Sequence, residues 1–330
     1  MKDVAKHTGL SIATISKYIN GIPVKEENKK RIDEAIKALD FRVNEIARGL
    51  KTKKTSTVGV LIPSLENVFS TIIVSKIENI LLQYGYSTII CDYHQNIELE
   101  NQKFDFLMNK SVDGMIFMPL GIDGNRIAAA IGKNIPVVLI DRPINDFNCD
   151  VVLVDNLNAA YNAVELLITK GHRRIGIICG PKDIYTAQER LKGYLRVHED
   201  YVLNIDENLI KYGDYDIQSG MNLLNEFLDQ DDPPTAVFVT NYEMTLGAVM
   251  AINNRNVSIP EDLSIIGFDN IQLAGVVKPN LAIVVQPMQQ IGETAANLLL
   301  KRMKGDKTGF PALFRLKTEI LEGKSISAIN

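Results

Sequence analysis

The 330-residue sequence has no tryptophan and few cysteines and histidines. Its three cysteines, Cys91, Cys149 and Cys179, are odd in number, lie far apart and each stand near an apolar segment. This pattern indicates reduced packing residues and argues against a disulfide framework. None of the four histidines stands in an HxH or HExxH spacing, so we expect no metal site and no cofactor.

Long apolar runs are also missing. No window reaches the roughly 18 uninterrupted apolar residues of a membrane span. The start, MKDVAKHTGL, carries no apolar signal core, so we expect a cytoplasmic protein. With 46% hydrophobic and 23% charged residues the composition is that of a globular protein. The length exceeds what one core usually supports and predicts two or three units.

Enzyme signatures are absent as well. The first apolar run, VGVLIPSLENVF, carries no GxGxxG, and the chain has no GxxxxGK[ST] or GxSxG motif. Three acidic positions, Asp141, Asp155 and Asp269, follow apolar runs, where open α/β sheets bind ligands. As isolated carboxylates they could equally serve as helix caps or in ion pairs. We therefore expect a protein that is not an enzyme.

Charge is unevenly distributed along the chain. Residues 1–57 contain 13 basic and 7 acidic residues, a net charge of +6, whereas the whole chain carries −4 and the remainder therefore −10. A small basic segment on an acidic body is expected when only that segment meets a polyanion such as DNA. A solvated basic surface explains the charge equally well, so the motifs must decide.

The basic segment begins with a helix-turn-helix pattern. Residues 2–8 are helix-compatible, Gly9 can take the positive φ of a helix end, and Ser11 is an N-cap candidate for a second helix. A third helix is predicted where apolar residues recur at i, i+3, i+4 and i+7, at Ile32, Ala35, Ile36 and Leu39. Such a unit presents its second helix to a major groove, although a generic helical hairpin fits the periodicity as well.

The second helix has distinct inner and outer faces. Ile15 and Ile19 lie four residues apart and should face the small core. Four residues then point outward: Ile12, Ala13, Ser16 and Lys17. Lys17 can donate to guanine O6 or N7, and Ile12 and Ala13 offer apolar contact to thymine methyl groups. Short polar side chains suited to phosphate oxygens stand beside them, at Ser11, Thr14 and Asn20.

After Thr57, apolar runs alternate with amphipathic segments of helix length. The runs lie at 58–62, 87–91, 114–117, 136–140, 174–178, 236–239, 263–266 and 282–285. Continuous apolar strands separated by crossover helices predict parallel sheets covered on both faces. Eight strands could form one wide sheet or two smaller ones. The polar connection at 143–150 and the total length favour two lobes.

The run VAKHTGLSIATISKYINGIPVKEENKKRIDEAIKALDFRVNEIARGLKTKKTSTVGVLIP resembles the head and linker of the LacI/GalR family of bacterial transcription regulators, and the resemblance continues through essentially the whole chain. It implies that Ile12, Ala13 and Lys17 read bases. It also implies that the sugar-phosphate backbone is held by Thr14, Ser16 and Asn20. One departure from the family pattern is Lys25, which stands where members often carry a Ser cap.

A hinge follows the head. The segment NEIARGL, 44–50, is too short to be a stable helix by itself, and Gly49 disfavours helix by about 1 kcal/mol relative to alanine. From the residues alone a flexible linker is favoured. The resemblance implies instead a helix that forms on the operator, with Leu50 wedged into a minor-groove step. The implied DNA contacts of this segment are Asn44, Ala47, Arg48 and Leu50.

Later segments match the family's effector-binding core, which is similar to a periplasmic sugar-binding protein: PVVLIDRP, VDNLNAA, GHRRIGIICG, TLGAVMAI, LSIIGFDN and QP. The resemblance implies two parallel-sheet lobes joined by three crossover strands, near 154–156, 285–288 and 315–318. The implied effector-binding residues are Ser64, Phe69, Asp141, Arg142, Gln188, Arg190, Asn241, Asp269 and Met288. Asp269 and Asn241 suit sugar hydroxyls, and Phe69 and Met288 an apolar wall. Gln188 stands where many members have Arg, so the ligand need not be a familiar sugar.

One head can contact only a half-site, so specific binding requires a homodimer on a roughly palindromic operator. A candidate dimer face is the stripe Ile72, Ile73, Ile77, Ile80 and Leu81, although a core position for most of these residues is the stronger alternative. No leucine heptads occur near the C-terminus, which disfavours a tetramer built on a coiled coil. An exported sugar receptor would require an export signal and no basic head, and this chain has the reverse.

The sequence therefore predicts an all-α helix-turn-helix DNA-binding head, a hinge and an α/β two-lobed periplasmic-binding-protein-like effector core. The head is expected at 1–43, the hinge at 44–56 and the core at 57–330. The first lobe should comprise about 57–154 and 287–316, and the second about 155–286 and 317–330. The predicted function is that of a transcription regulator, and specifically a repressor, whose DNA binding is controlled by a sugar or sugar acid bound between the lobes.

Overall fold

A computed structural model describes residues 1–19, 22–41, 54–121, 123–144, 148–269 and 271–329. The contacts divide the chain into two units, Met1–Ser56 and Thr57–Asn330. Most of the predicted hinge lies outside the described residues, and each unit is taken by itself below. No helix in the described ranges is long and apolar enough to cross a membrane.

The first unit contains three described helices: α1 (Lys2–Thr8), α2 (Ile12–Ile19) and α3 (Glu26–Ala38). Helix α1 ends at Gly9, whose φ of 68° is left-handed and is readily adopted by glycine. The predicted cap is confirmed, since Ser11 Oγ accepts a hydrogen bond of 3.1 Å from the amide of Thr14. Lys25 precedes α3 without a side-chain cap.

The core of the first unit is small and lies where the three helices meet. Its fully buried members are Val4, Ile15, Ile32 and Ala35. Ile36 is half-buried, but Leu39 lies one residue beyond α3 and is 40% exposed. The apolar period therefore predicted the inner face of α3 correctly at its first three positions and was wrong about the last one.

The second unit alternates strands and helices along its length. Its strands are β1 (Thr57–Ile62), β2 (Ser87–Asp92), β3 (Gly114–Phe117), β4 (Val137–Ile140), β5 (Asp150–Val154), β6 (Ile175–Cys179), β7 (Ile210–Tyr212), β8 (Ala236–Val239), β9 (Ser264–Phe268), β10 (Ala282–Val285), β11 (Leu313–Leu316) and β12 (Glu319–Leu321). Its helices are α4 (Val68–Gln83), α5 (Ile97–Asn109), α6 (Gly124–Gly132), α7 (Asn156–Thr169), α8 (Tyr185–Asp200), α9 (Ile217–Leu228), α10 (Tyr242–Arg255), α11 (Ile271–Val276) and α12 (Met288–Met303), with a short 3₁₀ turn at Glu207–Leu209.

The strands form two six-stranded sheets, one in each lobe. The first has the order β11-β5-β4-β3-β1-β2 and the second β12-β10-β9-β8-β6-β7. Among the described strands every pairing is parallel except that of β12 with β10, which is antiparallel. The choice between one wide sheet and two smaller ones is thereby settled in favour of two, and the predicted fold class is confirmed.

The chain crosses between the lobes three times. It leaves the first sheet after β5, returns to it between β10 and α12, and leaves again between β11 and β12. These crossings fall at the three places that the family resemblance implied. Four strands were not among the eight apolar runs. Of these, β11 and β12 are short and largely exposed and β7 is short and partly buried, so all three lack a continuous apolar signal, whereas β5 is fully buried.

Helix α4 contributes mainly to the core of the first lobe. Ile73, Ile77 and Leu81 are fully buried, and Ile80 is 9% exposed, against the sheet and α12. Ile72 is partly buried at the edge of the same cluster. The apolar stripe considered as a dimer face is therefore mostly part of the core, which was the stronger of the two alternatives that the sequence left open.

The three cysteines are free and buried, in agreement with their predicted packing role. Cys149 and Cys179 lie in apolar surroundings that stabilise the neutral thiol over the thiolate. Burial accordingly raises the pKa of each of these two thiols to about 12.

A buried ion pair joins three parts of the first lobe. The Asp150 carboxylate, at the start of β5, accepts hydrogen bonds from Arg302 Nε at 2.7 Å and Nη2 at 3.0 Å. It also accepts from the amide of Ala312, at 2.8 Å, just before β11. The Asp150 side chain is fully buried and that of Arg302 is 4% exposed. Because neither charge is solvated, each depends on the other.

We expect Asp150→Asn to lower the free energy of unfolding by about 3 kcal/mol, because it leaves the Arg302 guanidinium buried without a counter-charge. Urea denaturation followed by circular dichroism measures the loss. The matched control is Asp105→Asn, which removes an ion pair with Arg126 whose side chains are 56% and 39% exposed. The control should change stability by less than about 1 kcal/mol. Equal effects of the two variants would contradict the assignment.

Candidate functional sites

A cavity of about 1070 Å³ lies between the two lobes. It is lined by the segments that follow β1, β4, β8, β9 and β10, because the carboxyl ends of the parallel strands of both sheets open onto it. Eight of the nine residues expected to bind an effector line it: Ser64, Phe69, Asp141, Arg142, Arg190, Asn241, Asp269 and Met288.

Gln188 is the ninth, and it does not line the cavity. It is exposed, and its Nε2 donates a hydrogen bond of 2.8 Å to the carbonyl of Lys182. Residues two positions apart on a helix are rotated by about 200° about its axis, so Gln188 and Arg190 lie on nearly opposite sides of α8. Arg190 takes the inward position, and the substitution of Gln for the family's usual Arg at 188 does not reach the cavity wall.

Asp269 is held rigidly at the floor of the cavity. It follows β9 with a left-handed φ of 60°, and its side chain is hydrogen-bonded to Gln286. The amide of Gln286 donates to Oδ1 at 3.2 Å, and its Nε2 donates to Oδ2 at 2.7 Å. Burial raises the pKa of Asp269 to about 6, against the opposing effects of the Arg190 charge and the Gln286 hydrogen bonds.

Arg190 is fixed by two hydrogen bonds and a ring contact. Its Nε donates to Asn156 Oδ1 at 2.8 Å, and its Nη1 donates to the carbonyl of Thr240. The guanidinium carbon lies 3.9 Å from the centroid of the Phe268 ring, a cation–π contact. Arg190 is 4% exposed, so it presents a preorganised positive charge at the cavity floor beside Asp269.

Asp141 and Arg142 form a second charged pair at the end of β4. Arg142 Nε donates to Asp141 Oδ2 at 3.1 Å, and Asp141 has a left-handed φ of 70°. Two buried polar atoms in the cavity wall, Arg142 Nη1 and Gln286 Oε1, have no hydrogen-bond partner within the described part of the chain. A donor and an acceptor are thus left over for a bound molecule, which can satisfy both.

The cavity also has apolar walls. Phe69 and Ile72 come from α4, and Met118 follows β3. Met288 begins α12, and Leu246 and Ile271 lie on the side of the second lobe. Apolar surface around a few convergent polar groups is typical of small-molecule sites.

Sequence reasoning did not include several lining residues: Asn67, Thr186, Tyr215, Glu243 and Gln286. Three of them follow a strand closely, so the rule that found Asp269 could have found them too. Gln286 immediately follows β10, while Asn67 and Glu243 stand in the loop or first helical turn after β1 and β8. Thr186 lies further from a strand, and Tyr215 follows β7, which was not among the eight apolar runs, so neither residue carries a local signal.

In the first unit, α2 presents a mixed surface to solvent. Ile12 is 50% exposed, and Ala13 and Lys17 are exposed, while Ile15 is fully buried on the opposite face. Ser11 and Thr14 lie at the start of the helix, where their hydroxyls are 2.9 Å apart, and Ser16 is half-buried. The remaining predicted DNA contacts, Asn20, Asn44, Ala47, Arg48 and Leu50, lie outside the described residues.

A helix-turn-helix unit on the same chain as a two-lobed binding core defines a class of proteins, the ligand-responsive transcription regulators. Comparisons with known families agree. Residues 1–44 match "Bacterial regulatory proteins, lacI family", and residues 55–314 match "Periplasmic binding proteins and sugar binding domain of LacI family". The chain belongs to the LacI family of bacterial regulatory proteins.

Similar proteins match over nearly the whole chain. Catabolite control protein A of Priestia megaterium is 37% identical over 303 residues, covering 91% of each chain. The HTH-type transcriptional repressor PurR of Actinobacillus pleuropneumoniae serotype 3 (strain JL03) is 32% identical over 332 residues, covering 100% of this chain and 99% of the relative. The protein is accordingly a transcription regulator and not an enzyme.

Solved structures share the fold. The lac repressor dimer bound to operator and the anti-inducer ONPF has a TM-score of 0.88 over 99% of this chain and 98% of that chain, at 23% identity. The complex of the transcriptional regulator CelR with cellobiose has a TM-score of 0.75 over 98% of each chain, at 27% identity. A LacI family regulator from Enterococcus faecium with bound ribose has a TM-score of 0.75 over 83% of this chain and 100% of that chain, at 27% identity.

The raised pKa of Asp269 predicts a pH-dependent stability. An acid with a higher pKa in the folded chain binds its proton more tightly when folded, so protonation of Asp269 stabilises the fold. This contribution to the free energy of unfolding is full below about pH 4 and is lost as the pH rises to about 6. Asp269→Asn abolishes the titration. Its stability relative to the wild type should therefore rise between pH 4 and 7, by up to about 3 kcal/mol. Urea denaturation at each pH measures this, and a constant difference would show that Asp269 titrates normally.

Proposed function

We propose that this protein is a homodimeric repressor whose affinity for operator DNA is set by a small molecule bound in the cavity between its lobes. The observation that carries the proposal is the cavity itself, which is lined from both lobes and contains an unpartnered donor and acceptor, among the described residues, beside buried charges. A ligand that contacts both lobes can stabilise one lobe angle over another. Since the target is bacterial DNA, we place the protein in the cytoplasm.

DNA binding is assigned to the first unit. The exposed face of α2 carries Lys17, which can donate to guanine, and Ile12 and Ala13, which can contact thymine methyl groups. Ser11, Thr14, Ser16 and Asn20 would hold the sugar-phosphate backbone. The hinge residues Asn44, Ala47, Arg48 and Leu50 would bind the minor groove, with Leu50 as the wedge. Two heads are needed for two half-sites, so the working unit is a dimer on a roughly palindromic operator.

The effector is proposed to be a sugar or sugar acid. Asp269 and Asn241 can accept hydrogen bonds from hydroxyls, and Arg142 Nη1 can donate to a ring oxygen, a hydroxyl or a carboxylate. Phe69 and Met288 offer apolar surface to the carbon face of such a molecule. The cellobiose and ribose complexes of similar regulators support a carbohydrate in this position. Linkage between ligand and operator would amount to about 1–3 kcal/mol, as is typical of allosteric proteins.

Selection from a random pool of DNA duplexes tests the function directly. The full-length chain should enrich a palindromic site, and the affinity should fall steeply with salt because Lys and Arg displace counterions from phosphates. The selection is run with and without sugars and sugar acids that raise the melting temperature of the protein, since a ligand of the native state stabilises it. If no sequence is enriched under any of these conditions, the proposed function is wrong.

Lys17→Ala tests base reading. We expect it to relax base preference at one position of each half-site, because the donor to guanine is lost, at a cost of about 1–3 kcal/mol. The control is Lys37→Ala, another exposed lysine near the end of α3, which should leave every base preference unchanged. Repeating the selection with each variant measures both. Unchanged preferences for Lys17→Ala would remove Lys17 from the reading set.

Asp269→Ala tests the cavity assignment. The variant should fold and bind operator but no longer respond to the effector, because the fixed hydroxyl acceptor is gone. Gln188→Ala is the matched control, since Gln188 is exposed and outside the cavity, and it should respond like the wild type. Operator binding by gel shift with increasing effector gives both responses. A normal response of Asp269→Ala, or a lost response of Gln188→Ala, would contradict the cavity as assigned.

A further inference from the structure

A hydrogen bond spans the cavity between the two lobes. Asn67 Nδ2, in the loop after β1, donates to Glu243 Oε1, in the first turn of α10, over 2.8 Å. The two residues are 176 positions apart in the sequence and come from different lobes. Both line the cavity, so the bond lies on the surface of the space proposed for the effector.

Glu243 is held from its own lobe as well. Its second oxygen, Oε2, accepts a hydrogen bond of 2.7 Å from Asn241 Nδ2. Asn241 Oδ1 in turn accepts from the amide of Met244 and caps α10. Burial raises the pKa of Glu243, and its hydrogen bond with Asn67 acts in the opposite direction. The carboxylate is therefore an ordered part of the second lobe.

Asn67 is held equally firmly in the first lobe. Its Oδ1 accepts a hydrogen bond of 3.0 Å from the amide of Ser70 and caps α4. The amide group thus has two separate uses, with its oxygen bound to its own helix and its nitrogen bound to the opposite lobe. Because Asn67 itself caps α4 and Glu243 is bonded to Asn241, which caps α10, the bond cannot follow a change in lobe angle by side-chain motion alone.

The position of this bond differs from that of another interlobe side-chain contact. Arg315 Nη1 lies 3.4 Å from the hydroxyl of Tyr185, beside the third chain crossing, and neither residue lines the cavity. A contact beside a chain crossing moves little when the lobes rotate. A contact across the cavity, such as that between Asn67 and Glu243, breaks when the lobes move apart. Hydrogen bonds to charged groups favour the bonded state roughly tenfold or more.

We propose that Asn67 and Glu243 are a positioning pair that holds the two lobes at the closed angle and so sets how tightly the cavity retains its occupant. The inference rests on the proposed function, because it concerns the regulation of the same cavity. Entry or release of an effector requires the bond to break. The pair therefore sets the balance between open and closed lobes before any effector arrives.

Charge exchange between the two positions provides the test. In Asn67→Asp the helix cap is kept, because aspartate caps as well as asparagine, but a carboxylate now faces Glu243. The pair should separate and the lobes open. Adding Glu243→Gln restores a donor, since the new amide can donate to the carboxylate introduced at position 67. The double variant should therefore regain the closed angle. Asn96→Asp is the matched control, because Asn96 caps α5 in the same way but is exposed and does not line the cavity.

The lobe angle is measured in the full-length chain by pulsed electron spin resonance. Spin labels are attached to cysteines introduced at Gln102, exposed on α5, and Asn222, exposed on α9, since the native cysteines are buried. Labelled chain is diluted into unlabelled chain, so that distances between protomers do not contribute. We expect a longer and broader distance distribution for Asn67→Asp, and wild-type distributions for the double variant and for Asn96→Asp.

Two outcomes would overturn the proposal: an unchanged distance in Asn67→Asp, or a double variant that stays as open as the single one. Circular dichroism of each variant confirms that a change in distance does not come from unfolding. The measurement needs neither DNA nor effector. If the chain selects no operator, the proposed function is wrong but the measured distances are unaffected. If the distance test fails, the positioning pair is wrong but the operator selection remains valid.

Discussion

The structure depends on the way two parallel sheets face each other. In each lobe the carboxyl ends of the strands open toward the other lobe, so the loops that follow these strands contribute to one shared cavity. Because the chain crosses between the lobes three times, they cannot separate, and their relative motion is limited to bending at those crossings. A cavity formed in this way is sensitive to lobe angle by construction, and this is the property that a ligand-responsive regulator needs.

Buried charge gives the cavity its chemical character. Asp269 and Gln286 are hydrogen-bonded to each other, and Arg190 is hydrogen-bonded to Asn156 and to the backbone, so all three are oriented before a ligand binds. Their burial is unfavourable by itself, as the raised pKa of Asp269 shows. The left-handed backbone at Asp141 and Asp269 is a similar local cost. Buried charge and strained backbone concentrated at one place are typical of functional sites. Here the packing of the two sheets stabilises the fold enough to offset them.

Much of this could be predicted from the sequence. Eight apolar runs gave eight of the strands, and the residue after a strand was a good guide to the cavity, as Asp141 and Asp269 illustrate. The failures have physical reasons. Edge strands such as β11 and β12 are short and largely exposed, so their sequences carry no apolar run. Gln188 was misplaced because a position transferred from a family pattern does not state which way a helical side chain points, and neighbouring Arg190 already faces inward.

The sequence by itself determined the local structure and the order of the elements, because helix caps, apolar periods and strand-helix alternation act over a few residues. It also determined the division of charge between a basic head and an acidic body. Only the tertiary structure decided which side chains meet across the cavity. The hydrogen bond between Asn67 and Glu243 joins residues 176 positions apart. Such a contact depends on how the two lobes are set against each other, which no short stretch of sequence encodes.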